Sequence, residues 1–181
     1  MKLVPGRLPG LAFVEPRVFR DDRGFFLESF NEERFAELGL PTHFAQDNHS
    51  HSKQRVLRGL HYQVVRPQGK LVTVTRGSIF DVAVDIREGS ATFGQWQSTI
   101  LDAAEPKFFW IPPGFAHGFC VLSDVADFLY KCTEVYVPEH DRAIRWNDPT
   151  LGVQWPIDEP LLSAKDAAAP LLRDAELPRI G

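Results

Sequence analysis

From Arg55 to Tyr136 the sequence is a succession of short β-type runs, cut by glycine and proline, with no helical stretch between them. This pattern constrains the fold more than any other feature. Its clearest run has Phe80, Val82, Val84 and Ile86 alternating with Asp81, Ala83 and Asp85, the period of a half-buried strand. Similar runs cover Arg55–Gln63, Lys70–Arg76, Gly94–Leu101, Lys107–Ile111, Phe115–Leu122 and Asp127–Tyr136, with Gly77-Ser78, Gly89-Ser90 and Pro112-Pro113-Gly114 as punctuation. Without βαβ alternation, such strands bury their apolar faces sheet against sheet. The sequence therefore predicts an all-β fold, a jelly roll of two packed antiparallel sheets with a few short helices.

The flanking segments fit around that scaffold. Residues up to Gly10 read as an extended arm, and Leu11–Phe19, interrupted by Pro16, reads as an edge strand. Asp21-Asp22-Arg23-Gly24 is turn chemistry, and Phe25–Phe30 is strand-like. Asn31 is placed to cap a short helix carrying Glu32, Glu33, Phe35 and Leu38, ended by Gly39. Ser50-His51-Ser52-Lys53 reads as a polar loop. Ser163 is placed to cap a second short helix through Asp166–Ala169, limited by Pro170.

Composition excludes several classes. A chain of 181 residues, 44% hydrophobic, is most simply one domain over residues 1–181. A net charge of −4 speaks against a general nucleic-acid binder. No apolar run reaches membrane-span length and Met1–Gly6 has no secretory h-region, so the expected location is the cytoplasm with no membrane partner. Cys120 and Cys132 lie in apolar β-like runs and read as buried reduced thiols.

Chemistry concentrates in Arg58-Gly59-Leu60-His61-Tyr62-Gln63 and Gln68-Gly69-Lys70. An imidazole accepts and returns protons near neutrality, so His61 is a candidate general base, oriented by a carboxylate such as Asp166 or Asp81. Gathering Arg58, His61 and Lys70 is costly without an anionic ligand or transition state. In a regular strand Arg58 and His61 face opposite sides, so sharing a pocket requires a bulge, for which Gly59 is the natural place. A metal reading is weaker. His61 is followed by Tyr62-Gln63 and lacks a second histidine, while His49-Ser50-His51 has H-x-H spacing but falls in a polar segment.

The motifs Asp22-Arg23-Gly24-Phe25-Phe26, Gln46-Asp47-Asn48, Leu57–Gln63, Gln68-Gly69-Lys70, Ile111–Phe119, Tyr130-Lys131-Cys132-Thr133, Trp146-Asn147-Asp148-Pro149 and Leu162–Asp166 run in one order along nearly the whole chain. Together they resemble the dTDP-4-dehydrorhamnose 3,5-epimerase family. The resemblance implies a metal-free, cofactor-free, cupin-type jelly roll that is dimeric through exchanged N-terminal strands. It implies His61 as proton-abstracting base, Asp166 as its carboxylate partner, Tyr130 as proton donor on the other face of the sugar, and Lys70 as stabiliser of the enolate oxygen. Arg23, Phe26, Glu28, Gln46, Asp47, Asn48, Arg58, His117, Asp141 and Lys165 fall at or beside substrate-contact positions; many relatives carry Glu at the position of Asp141. The implied activity is epimerisation at C3 and C5 of dTDP-4-dehydro-6-deoxy-D-glucose in dTDP-L-rhamnose biosynthesis. The competing expectations are a C3-only or C5-only epimerase, a metal-dependent cupin oxygenase, and a non-catalytic sugar-nucleotide binder.

Overall fold

The structure, a computed structural model, describes residues 1–179. In chain order it contains β1 (Lys2–Pro5), β2 (Ala12–Glu15), β3 (Val18–Asp21), β4 (Gly24–Leu27), α1 (Glu32–Glu37), β5 (Gln46–Lys53), β6 (Leu57–Gln63), β7 (Lys70–Arg76), β8 (Ser78–Asp85), β9 (Trp96–Asp102), β10 (Phe108–Ile111), β11 (Phe115–Val121), β12 (Val125–Cys132), β13 (Asp141–Ala143) and α2 (Ala164–Ala167). One sheet runs β1-β2-β10-β7-β12-β5, a second β13-β6-β11-β8-β9, and β3-β4 form a separate hairpin. All strand pairs are antiparallel. This is the expected jelly roll of the cupin type.

The core lies between the two large sheets. Val72, Val74, Phe109 and Phe128 meet Ile79, Ala83, Phe115 and Phe119 across it. The outer face of the five-stranded sheet (Leu60, Tyr62, Val82, Val84) is covered by Ile144, Leu151, Val153 and Leu172 from the C-terminal third. The outer face of the six-stranded sheet (Val14, Leu71, Trp110) is covered by α1 through Phe35 and by Leu40. Both helices have the expected caps: the Asn31 side chain accepts from Arg34 N, the Ser163 hydroxyl from Asp166 N, and Gly39 takes φ +71° after α1.

Several boundaries differ from the sequence reading, each for a physical reason. Leu11–Phe19 is two strands, because Pro16 ends β2, and β2 is paired on both sides rather than lying at an edge. Strand character after Gly24 stops at Leu27. The polar segment Ser50–Lys53 is not a loop: β5 pairs with β12 along its full length, and as an edge strand it tolerates polar outward side chains. The Phe80–Ile86 alternation has both faces buried. Its acidic members Asp81 and Asp85 are 0% exposed, with Asp81 turned to the barrel interior. Cys120 and Cys132 are buried free thiols, and burial pushes the Cys120 thiol up to about 12.

Candidate active site

β6 is irregular where the chemistry concentrates. Its Arg58 lies opposite Phe119 of β11 and its His61 opposite His117. Gly59 and Leu60 thus span the interval that Gly118 alone spans on β11, which makes a bulge at the expected glycine. Gly59 takes φ +131°, and a Cβ there would come within 2.5 Å of Gly118 Cα. The bulge brings Arg58 and His61 to one side of the sheet.

That side opens into a cavity of about 300 Å³ between the sheets, lined by Gln46, Asn48, His61, Gln63, Gln68, Lys70, Tyr130, Tyr136, Asp141 and Lys165 among others. The five-stranded sheet contributes His61. The six-stranded sheet contributes Tyr130 and Lys70, with Asn48 directly opposite Tyr130 in the β5–β12 register. His61 and Tyr130 therefore enter the cavity from facing sheets.

His61 Nε2 lies 2.5 Å from Asp166 Oδ1, so of the two carboxylates open to His61 the structure brings Asp166 to it. Asp166 sits at the start of α2, nearly buried. Burial alone would raise its carboxyl, but the contacts with His61, Ser163 and Lys165 outweigh that and hold it below the usual range. Tyr130 is pushed up by burial first and by the neighbouring Cys132, so it keeps its proton at neutral pH. Lys70 is 8% exposed, and its Nζ donates to His61 O at 3.4 Å. Burial lowers its pKa, opposed by Cys132, Asp141 and Asp81.

Asp81 belongs to another pair. His117 Nε2 sits 2.9 and 3.1 Å from its two oxygens, and the ring stacks on Phe128, which in turn packs on Tyr130. The His117–Asp81 pair is buried directly beside His61 in the β6–β11 register. Arg58 Nε donates to Ser52 Oγ at 3.1 Å. Asp141 accepts from the Tyr136 hydroxyl at 3.0 Å and pairs with Lys165.

Four expected contact residues stand elsewhere in the chain. Asp47 points outward and pairs with Lys131. Arg23 pairs with Asp21, Glu28 with Arg34, and Phe26 is 69% exposed. None of these four lines the cavity, and neither do Arg58 and His117. Sequence reasoning missed Tyr136, Gln63 and the role of Asp81. The sequence shows Tyr136 only as a strand end and Gln63 only as a motif member, and it offers Asp81 as a partner for His61 rather than for His117. His49 and His51 lie on β5, with His51 Nδ1 2.7 Å from Asp127 Oδ1. Among the described residues no three His, Cys, Asp or Glu side chains converge to hold a metal ion.

A histidine–carboxylate pair facing a protonated tyrosine, with a buried lysine between facing jelly-roll sheets, defines an acid–base enzyme of the cupin-type class. Comparison with known proteins is specific. Residues 5–174 match the family model for dTDP-4-dehydrorhamnose 3,5-epimerase. The dTDP-4-dehydrorhamnose 3,5-epimerase of Pseudomonas aeruginosa is 55% identical over 178 residues, covering 97% of this chain and 98% of that one. The Salmonella typhimurium enzyme of the same name is 53% identical over 180 residues, covering 98% of each. The solved structure of a dTDP-6-deoxy-D-glucose-3,5-epimerase from Legionella pneumophila, in complex with dTDP-4-keto-L-rhamnose, is 51% identical. It superposes with a TM-score of 0.95, covering 99% of this chain and 98% of that one. The chain belongs to the dTDP-4-dehydrorhamnose 3,5-epimerase family and is an isomerase.

Proposed function

We propose that the protein inverts C3 and C5 of dTDP-4-dehydro-6-deoxy-D-glucose, giving dTDP-4-dehydro-L-rhamnose in the biosynthesis of dTDP-L-rhamnose. The observation that carries this reading is the entry of His61 and Tyr130 into one cavity from facing sheets. Inversion at carbon requires a proton to leave from one face and another to arrive at the opposite face, so two groups on opposite sides are needed.

In this mechanism His61, held by Asp166, takes the proton from a carbon next to the C4 ketone. The electron pair moves onto the C4 oxygen as an enolate, and the Lys70 ammonium offsets its charge. Tyr130 then gives a proton to the carbon from the other face. Substrate and product share one oxidation state, so no redox partner enters the balance. Arg58 and Lys165 supply positive charge for the diphosphate.

The reading extends to the assembly. β3-β4 pairs with neither large sheet, and it exposes Phe19, Phe25 and Phe26 while holding Arg23 away from the chain's own cavity; Glu28, next after β4, is also outside that cavity. A homodimer with exchanged N-terminal strands accounts for these features by covering the aromatics and bringing the hairpin to a partner's site. Residues 1–181 are taken as one epimerase domain working in the cytoplasm, with no nucleic-acid or membrane partner. No helix among the described residues is long and apolar enough to cross a membrane.

The test is incubation with dTDP-4-keto-6-deoxyglucose in D₂O, followed by NMR. Deuterium at both C3 and C5 of an L-configured product is expected. Label at one carbon identifies a single-site epimerase instead, and no exchange with intact binding overturns the enzymatic reading.

A further inference from the structure

The segment Glu134–Val137, between β12 and β13, belongs to no strand or helix, yet three glutamine side chains hold its main chain. Gln68 Nε2 donates to Glu134 O at 2.8 Å. Gln63 Nε2 donates to Val135 O at 3.3 Å, and Gln63 Oε1 accepts from Val137 N at 2.7 Å. Gln46 Oε1 accepts from Tyr136 N at 2.7 Å. Four successive residues are thus fastened by side chains from β5, β6 and the β6–β7 connection, where a strand would have used a neighbouring backbone. Gln63 is the centre of this arrangement. It is 2% exposed, and its third bond, to Arg66 O at 3.0 Å, occupies the second N–H of the amide.

The strap carries Tyr136, half-exposed and lining the cavity. The Tyr136 hydroxyl donates to Asp141, which also holds Lys165. The position of Tyr136 therefore depends on the strap, whereas Asp141 is set by β13, paired to β6, and Lys165 by α2. His61, Lys70 and Tyr130 do not depend on it, because they stand on strands of the two large sheets.

We propose that Gln63 is a positioning residue for ligand capture: it holds the 134–137 strap so that Tyr136 forms a fixed wall for the nucleotide half of the substrate. The inference rests on reading the cavity as a sugar-nucleotide site, and it adds a dependence of nucleotide affinity on a buried amide that touches no reacting atom. A prearranged wall binds without having to be ordered first, so loosening it lowers affinity rather than the rate of the bound complex.

The experiment titrates dTDP alone into the full chain by calorimetry and measures steady-state turnover in parallel. Gln63→Leu keeps the volume and removes every strap bond that residue makes. Its dissociation constant for dTDP and its KM are expected to rise together by about tenfold, with kcat changing far less. Gln68→Leu, which removes a single strap bond, gives a smaller rise in the same direction. Because Gln63 acts through Tyr136, the double variant Gln63→Leu/Tyr136→Ala binds dTDP as Tyr136→Ala does, within about twofold. Wild-type affinity in Gln63→Leu, additive losses in the double variant, or a loss confined to kcat overturns the proposal. Should Gln63→Leu fail to fold by circular dichroism, Gln68→Leu decides: unchanged dTDP affinity there overturns it. The dTDP titration needs no turnover. A chain that binds dTDP with the stated dependence yet does not epimerise refutes the proposed reaction and supports the role of Gln63.

Discussion

At the scale of single residues, the site separates into groups visible in sequence and groups that only packing reveals. His61, Lys70 and Tyr130 stand out by chemistry and motif, and the fold delivers all three to one cavity. The Asp81–His117 pair was hidden because a period-2 pattern says that faces alternate, not which face is inside. Asp81 is fully buried, with His117 as its hydrogen-bond partner and its charge opposing the effect of burial on Lys70. Asp81→Asn keeps the shape and an acceptor for His117 but removes that charge. It is expected to lower kcat by about 10- to 100-fold while the chain stays folded at neutral pH, checked by steady-state kinetics beside circular dichroism. Unchanged kcat would show the pair to be purely structural. Asp166→Asn, which leaves His61 without its anionic partner, should cost about 10²–10⁴-fold in kcat. Because the folded state holds the Asp166 carboxyl below its ordinary value, the stability from the His61 contact is present above that ordinary value. It disappears as the pH falls through the lowered one.

At the scale of elements, β7 was legible to the residue over Lys70–Arg76, whereas the run expected over Asp127–Tyr136 is β12, Val125–Cys132, and ends four residues early. Strands depending on a partner were not legible. β5 is polar and owes its extended form to β12, and β13 is only three residues paired to β6. The Gly59 bulge was legible because Arg58 and His61, three apart on one strand, were expected to face one side. Gly59→Ala places a methyl against Gly118 and His117 O, 2.9 Å away, at a φ that L-residues avoid. It is expected to destabilise the fold by about 1–3 kcal/mol and to displace His61, read as a lowered Tm together with lost activity. A second element-level device closes β8. Asp85 accepts from Arg87 Nη2 at 2.7 Å, Ser90 Oγ at 2.7 Å and Thr92 Oγ1 at 2.6 Å. Burial works to raise this carboxyl, but these bonds take it down to about 2. The folded state therefore gains stability above the ordinary 3.8 and loses it as the pH falls towards about 2. Asp85→Asn should lose roughly 2 kcal/mol at neutral pH and show a flatter stability curve across that acid window, measured by urea unfolding.

At the scale of the whole molecule, the sequence identified two sheets but could not say which strands join which, since register and crossover depend on contacts distant in the chain. That topology places His61 and Tyr130, the proposed base and acid, on opposing walls. It also leaves the β3-β4 hairpin unpaired with either large sheet and its aromatics exposed, from which we expect a dimer. Phe25→Asp, which sets a charge on the exposed aromatic face, should shift the chain to a monomer by light scattering and lower kcat/KM at least about tenfold. A dimer unaffected by the change would place the interface elsewhere. The central claim is the division of labour between the two walls, and its most direct test is deuterium uptake by variants of each. In D₂O with dTDP-4-keto-6-deoxyglucose, His61→Ala should abolish exchange at both C3 and C5. Tyr130→Phe should still wash deuterium into the sugar but form little inverted product. Full exchange by His61→Ala, or normal product formation by Tyr130→Phe, would contradict the account.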